Sequence, residues 1–70
     1  MNEKFIIGIY SVYDDHYFYF DKNKNRVLSM RLATKFETYE DAKYMIGELI
    51  KKTKDTEKLY FEISKLFYHE

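Results

Sequence analysis

Apolar and polar positions alternate from the start of the chain. Phe5, Ile7 and Ile9 fall on one side of an extended backbone, and Ile6, Gly8, Tyr10 and Val12 on the other. Period two in β-branched and aromatic residues predicts a strand over 4–13. Gly8 inside it predicts either a bulge or a close backbone approach. Asp14 and Asp15 suit a tight turn, because short carboxylates accept from turn amides and tolerate unusual backbone angles. A second strand follows over 16–20, with Phe18 and Phe20 on one face and Tyr17 and Tyr19 on the other. Phe has no polar atom to satisfy and belongs in a core, whereas Tyr keeps its hydroxyl near water.

DKNKNR (21–26) is polar throughout and predicts a loop. VLSMRL (27–32) alternates weakly and is either a third strand, with Leu28, Met30 and Leu32 inward, or an irregular connector. The pattern then changes period. Ala42, Met45, Ile46, Leu49 and Ile50 recur at helical spacing, one buried stripe of a helix over 39–52. Thr38 is its N-cap, with Asp41 three residues on. Acidic Glu40 and Asp41 begin it and Lys51, Lys52 and Lys54 lie at its end, both favourable to the helix dipole. Glu48 precedes Lys52 by one turn, and Tyr44 and Gly47 lie off the stripe. KDTEK (54–58) is a charged turn. LYFEISKLFY (59–68) is a final strand, with Leu59, Phe61, Ile63 and Phe67 opposite Tyr60, Glu62, Ser64, Leu66 and Tyr68.

Three or four antiparallel strands and one amphipathic helix predict an α+β fold of two layers, the helix packed on one face of the sheet. Its expected core is Phe5, Ile7, Ile9, Phe18, Phe20, Ala42, Met45, Ile46, Leu49, Ile50, Leu59, Phe61 and Ile63. Seventy residues form a single domain over 1–70. A chain this short depends on large apolar groups, and 20% of this one is aromatic. The helix cannot cover both faces. Ile6, Tyr10, Val12, Tyr17, Tyr19, Tyr60 and Tyr68 are left on the other, and an apolar patch of that size is expected to meet a partner.

Charge narrows the choice of partner. Twelve basic and twelve acidic residues cancel, against both a nucleic-acid mimic and a strongly basic nucleic-acid binder. Lys22, Lys24, Arg26, Arg31 and Lys35 form one modest basic run. No Cys is present, so disulfides and thiolate metal sites are excluded. No apolar run approaches the roughly 20 residues of a membrane span, and the N-terminal apolar run is too short for a signal peptide, so a soluble protein is expected.

The segment LATKFETYEDAKYMIGELI resembles a pattern in small proteins of bacteriophages and their low-GC hosts: a hairpin, A-x-x-F, a T-x-x-E/D-A helix start and a last strand. Ala33, Phe36, Thr38, Asp41 and Ala42 are the matching positions, covering about a third of the chain. The resemblance implies a fold type and a phage origin in a bacterial cytoplasm. It transfers no activity. Small phage accessory proteins often inhibit host defence or metabolic proteins, anti-CRISPR proteins among them.

Three functions follow as expectations. The first is a non-enzymatic protein-binding module, an inhibitor of a host protein, using Tyr10, Tyr17, Tyr19, Tyr60, Lys22, Lys24 and Arg26; a homodimer burying the tyrosine face is its bland counterpart. The second is single-strand nucleic-acid binding, with bases stacked on the same tyrosines. Zero net charge and Glu62 on that face oppose it. The third is an enzyme. Asp14, Asp15 and His16 are the only carboxylate–imidazole cluster, and adjacent residues point apart, so neither a metal site nor catalysis is expected. No cofactor is expected.

Overall fold

The computed structural model describes residues 2–54 and 56–68. Met1, Asp55, His69, Glu70 and the side chains of Asn2 and Tyr68 lie outside that description, and with them the expected place of Tyr68 on the tyrosine face. Four antiparallel strands, β1 (Asn2–Ser11), β2 (His16–Asp21), β3 (Asn25–Val27) and β4 (Leu59–Tyr68), make one sheet in the order β3-β2-β1-β4. One helix, α1 (Tyr39–Lys52), packs on it, giving the expected two-layer α+β architecture.

The long pair is β1 with β4, in unbroken register from Asn2 opposite Tyr68 to Ser11 opposite Leu59. β1 ends at Ser11, two residues earlier than its alternation predicts. Val12 and Tyr13 belong to a four-residue turn, and Tyr13 is exposed. Two local bonds stop the strand there: the Asp15 amide donates to the Val12 carbonyl at 3.2 Å, and the Asp14 amide to the Ser11 hydroxyl at 3.2 Å. Asp15 takes a left-handed φ of 51°, which a short polar residue tolerates.

The polar stretch 21–26 is more than a loop, because β3 begins inside it at Asn25. The Asp21 carboxylate accepts from the amides of Asn23 and Lys24 (3.2 and 3.0 Å), and Asn25 adopts φ 69°. A turn closed by a left-handed residue is a standard three-residue hairpin connection. Those bonds, the Lys24 amide foremost, hold the Asp21 carboxyl below its usual range.

Over 27–32 the connector alternative holds beyond Val27. Met30–Leu32 form a short 3-10 helix, its first turn closed by the Ser29 hydroxyl accepting from the Arg31 amide. Leu28, Met30 and Leu32 are exposed, not inward. The chain then returns to the sheet. Thr34 donates to the Phe20 carbonyl (3.0 Å), and Phe36 exchanges both main-chain bonds with Phe5 (2.7 and 2.9 Å), extending the sheet beside β1 where β2 has ended.

α1 starts as its cap predicts, with Thr38 Oγ1 accepting from the Asp41 amide at 3.0 Å. Ala42 is fully buried, and Met45, Ile46 and Leu49 pack against Phe5, Ile7, Ile9 and Phe20. Phe18, Phe36, Leu59, Phe61 and Ile63 complete this core. Ile50 does not join it. The last member of the predicted stripe is 56% exposed. Glu48 pairs with Lys51 at 3.2 Å, one residue short of the Lys52 expected.

A second, smaller core lies on the other face. Ile6 is fully buried, and Val27 and Ala33 nearly so, although none belongs to the helix-side cluster. Register puts Ile6 on the tyrosine side opposite Ser64, and Val27 on that side opposite Tyr19. Ser29, Met30 and Arg31 line one depression with Leu66, which stands on the same face opposite Lys4. The 28–33 connector therefore crosses that face and covers its Ile6 end. Intramolecular cover, which the helix could not supply, comes from this connector, and the open surface shrinks to the tyrosine end.

Candidate functional site: the tyrosine face

Register alone arranges the site. Tyr17, Tyr10 and Tyr60 are directly opposite one another across β2, β1 and β4, and form one rung. The next rung is Tyr19, Gly8 and Glu62. Residues opposite one another in antiparallel strands share a face at about 4.5–5.5 Å, so four tyrosines and one carboxylate are contiguous.

Gly8 explains how they pack. Pairing with β4 runs through it without interruption, which excludes a bulge on that side, and pairing with β2 begins at it. A Cβ placed at Gly8 would lie 2.6 Å from Cζ of Tyr17, and closer still to the hydroxyl oxygen. The Tyr17 ring thus leaves its own rung, crosses β1 over Gly8, and donates its hydroxyl to Glu62 on β4. Burial, then this bond to a carboxylate, push the Tyr17 pKa strongly upward. Tyr19 stands edge-on to Tyr17, with centroids 5.3 Å apart. Tyr10 donates to Asp15 Oδ1 at 2.6 Å, and that bond raises its pKa too. Tyr60 stands free at 66% exposure. Two of the four rings are thus held by carboxylates.

The basic candidates lie elsewhere. Lys22 and Lys24 are exposed in the β2–β3 turn. Arg26 is opposite Phe20, on the helix side. Its guanidinium lies 5.6 Å over the Phe18 ring, 3.2 Å from Glu57 and 3.9 Å from Asp14. These three residues do not converge with the tyrosines. The groups hydrogen-bonded to the rings are the Glu62 and Asp15 carboxylates.

Asp14, Asp15 and His16 diverge as adjacent residues should. Asp14 turns to Ser11 and Arg26, Asp15 to Tyr10, and His16 lies tilted against Phe18 with ring centroids 4.9 Å apart. Among the described residues no three His, Cys, Asp or Glu side chains are grouped to hold a metal. A cleft between the end of α1 and the sheet, floored by Ile9, Leu49 and Phe61, has a volume of about 240 Å³. That is below the range of roughly 300–1,000 Å³ usual for small-molecule sites, whereas the open depression at Met30, Arg31, Lys35 and Leu66, at about 450 Å³, is within it. No described helix is long and apolar enough to cross a membrane.

Sequence reasoning missed the exposure of Ile50 and Phe67, which flank the outer edge of β4. A ten-residue terminal strand with no Pro and no Gly was the available signal, since such strands make long edges when they end a sheet. Comparison with known protein families, characterised proteins and solved structures finds no match to the chain.

Proposed function

We propose that the protein is a non-enzymatic binding module whose tyrosine face docks on another protein. The observation that carries this reading is a contiguous row of four tyrosines, two with their hydroxyls fixed by carboxylates, on the face without the helix. Tyrosine supplies large contact area, and rings already held in place lose little freedom on binding. Glu62 and Asp15 beside the rings give the partner's chemistry: an apolar surface bearing Arg or Lys, which would meet both the carboxylates and the ring faces. The same carboxylates repel phosphate, which disfavours the nucleic-acid reading. The resemblance at Ala33, Phe36, Thr38, Asp41 and Ala42 supports the narrower proposal of a phage-derived inhibitor of a host defence protein in the bacterial cytoplasm.

Capture from a bacterial lysate tests the reading. Wild type and Tyr44→Ala, altered on the exposed side of α1, are expected to retain one partner that Tyr17→Ala/Tyr19→Ala loses, with thermal melts showing that all three fold. A partner retained equally by the double variant refutes it. Titration with labelled single strands at low salt is expected to show no binding below the high micromolar range; tighter binding would favour the nucleic-acid alternative.

A further inference from the structure

β4 is the outermost strand of the sheet and is ten residues long. Its free edge has a defined polarity. Phe5 spends its main-chain amide and carbonyl on Phe36, on the side away from β4, so Lys65 opposite it points its own groups outward. By alternation Leu59, Phe61, Ile63 and Phe67 do the same. Unpaired edges of this length are normally protected by proline, bulges or several charges. β4 has no proline and no bulge, and Lys65 is the one cation on its helix side.

Exposed apolar groups gather along the same edge. Phe67 is 58% exposed and Tyr60 66%. Ile50, the stripe residue that leaves the core, lines a depression with Leu59 and Phe61 beside β4. A helix residue with core spacing that is left more than half exposed at the core's margin fits a surface completed by another chain.

We propose that β4 pairs with β4 of a second copy, antiparallel about a two-fold axis at Ile63, joining the two sheets edge to edge. A two-fold axis normal to the sheet preserves its faces, so only registers that pair residues of one face are allowed. Centring on Ile63 sets Leu59 against Phe67, Phe61 against Lys65 and Ile63 against itself on the helix side. Tyr60 meets Leu66 and Glu62 meets Ser64 on the other. Every rung is apolar, cation–aromatic or hydrogen-bonding, and roughly ten main-chain bonds form. Centring on Glu62 would oppose two like charges, and centring on Ser64 would set Glu62 against Leu66. Centring on Phe61 gives no conflict either but leaves 64–68 without a β4 partner. The axis at Ile63 is thus the one that pairs the greater length of the strand without a conflict. This interface shares Tyr60 and Glu62 with the proposed partner face but is made by the β4 edge rather than by the row of rings, so one can fail without the other.

Sedimentation of the full chain tests the proposal, with a mass of twice 8.7 kDa expected in the micromolar to millimolar range. Ile50→Lys/Phe67→Lys, at exposed positions, should weaken that association by about tenfold or more, since it buries unpaired charge at the edge. Register is read by cross-linking, which the absence of native cysteine makes clean. Tyr60→Cys/Leu66→Cys should form intermolecular disulfides, because non-hydrogen-bonded pairs bring Cα atoms to about 4.5 Å. Tyr60→Cys/Ser64→Cys should not. A monomer at millimolar concentration overturns the proposal. So does equal cross-linking in both cysteine pairs, or a dimer lost in Tyr17→Ala/Tyr19→Ala but unchanged in Ile50→Lys/Phe67→Lys, which would seat the second copy on the tyrosine face.

Discussion

Replacing Gly8 by alanine should lower stability in the native chain and raise it once Tyr17 is removed. The added Cβ would fall 2.6 Å from Cζ of Tyr17, well inside van der Waals contact. The obstructing atoms are the far end of a side chain, so the ring rotates away while β1 keeps its pairing with both neighbours. Two contributions are then lost. The hydrogen bond to the Glu62 carboxylate contributes about 1 kcal/mol, less than is usual for a bond to a charged group because the site is partly solvated. Re-exposing a few tens of Å² of ring and strand costs ~1 kcal/mol at about 25 cal/mol per Å². Against them, alanine reduces the freedom of the unfolded chain and stabilises by about 0.4–1 kcal/mol. The net loss is about 1–1.5 kcal/mol, or several degrees in the melting temperature of a domain this small. In a Tyr17→Leu background the obstruction is gone and only the alanine gain remains, so the sign reverses. Urea denaturation followed by circular dichroism, arranged as a double-mutant cycle, should give a coupling of about 1.5–2 kcal/mol. An equal loss from Gly8→Ala in both backgrounds would refute the saddle role of Gly8 and place the cost in the backbone.

Other substitutions test the remaining parts of the fold. Gly47 has nothing within 4 Å of a Cβ position, so Gly47→Ala should raise stability by about 0.5–1 kcal/mol in the same assay. Ile6→Ala should cost about 2–4 kcal/mol because Ile6 is fully buried beneath the connector; a cost as small as that of Ile50→Ala would show that the second core does not form. Stability should decline as pH rises above about 10, where the unfolded chain releases tyrosine protons that Tyr17 and Tyr10 retain when folded. In Tyr17→Phe that alkaline slope should be shallower, and an unchanged slope would show that Tyr17 does not contribute. Denaturation curves collected from pH 8 to pH 11 check both.

What could be seen in the sequence was whatever local chemistry determines. The helix limits follow from Thr38 and the stripe spacing, β4 from ten alternating residues, and the separation of Phe18 and Phe20 from Tyr17 and Tyr19 from the pleat. β3 was hidden because an edge strand of three residues needs no apolar pattern; its polar Asn25 and Arg26 are set by the turn that Asp21 closes. VLSMRL was ambiguous between strand and connector, and the connector holds beyond Val27. Its alternation is that of a strand, yet Ser29 starts a 3-10 turn and the segment is consumed in crossing the sheet. Of the site, the tyrosine set was legible from parity alone. The placement of Arg26 was not, because its side of the sheet depends on a register that only the Asp21–Asn25 turn defines.

The eight tyrosines make the chain its own reporter for the binding face. Tyrosine-directed nitration of the protein, alone and with the partner captured from lysate, followed by mass spectrometry, tests the proposed face most directly. Binding is predicted to protect the exposed Tyr60, and Tyr19 beside Tyr17, while leaving Tyr44 on α1 as reactive as before. Protection of Tyr44 with Tyr60 still reactive would place the partner on the helix side and contradict the account.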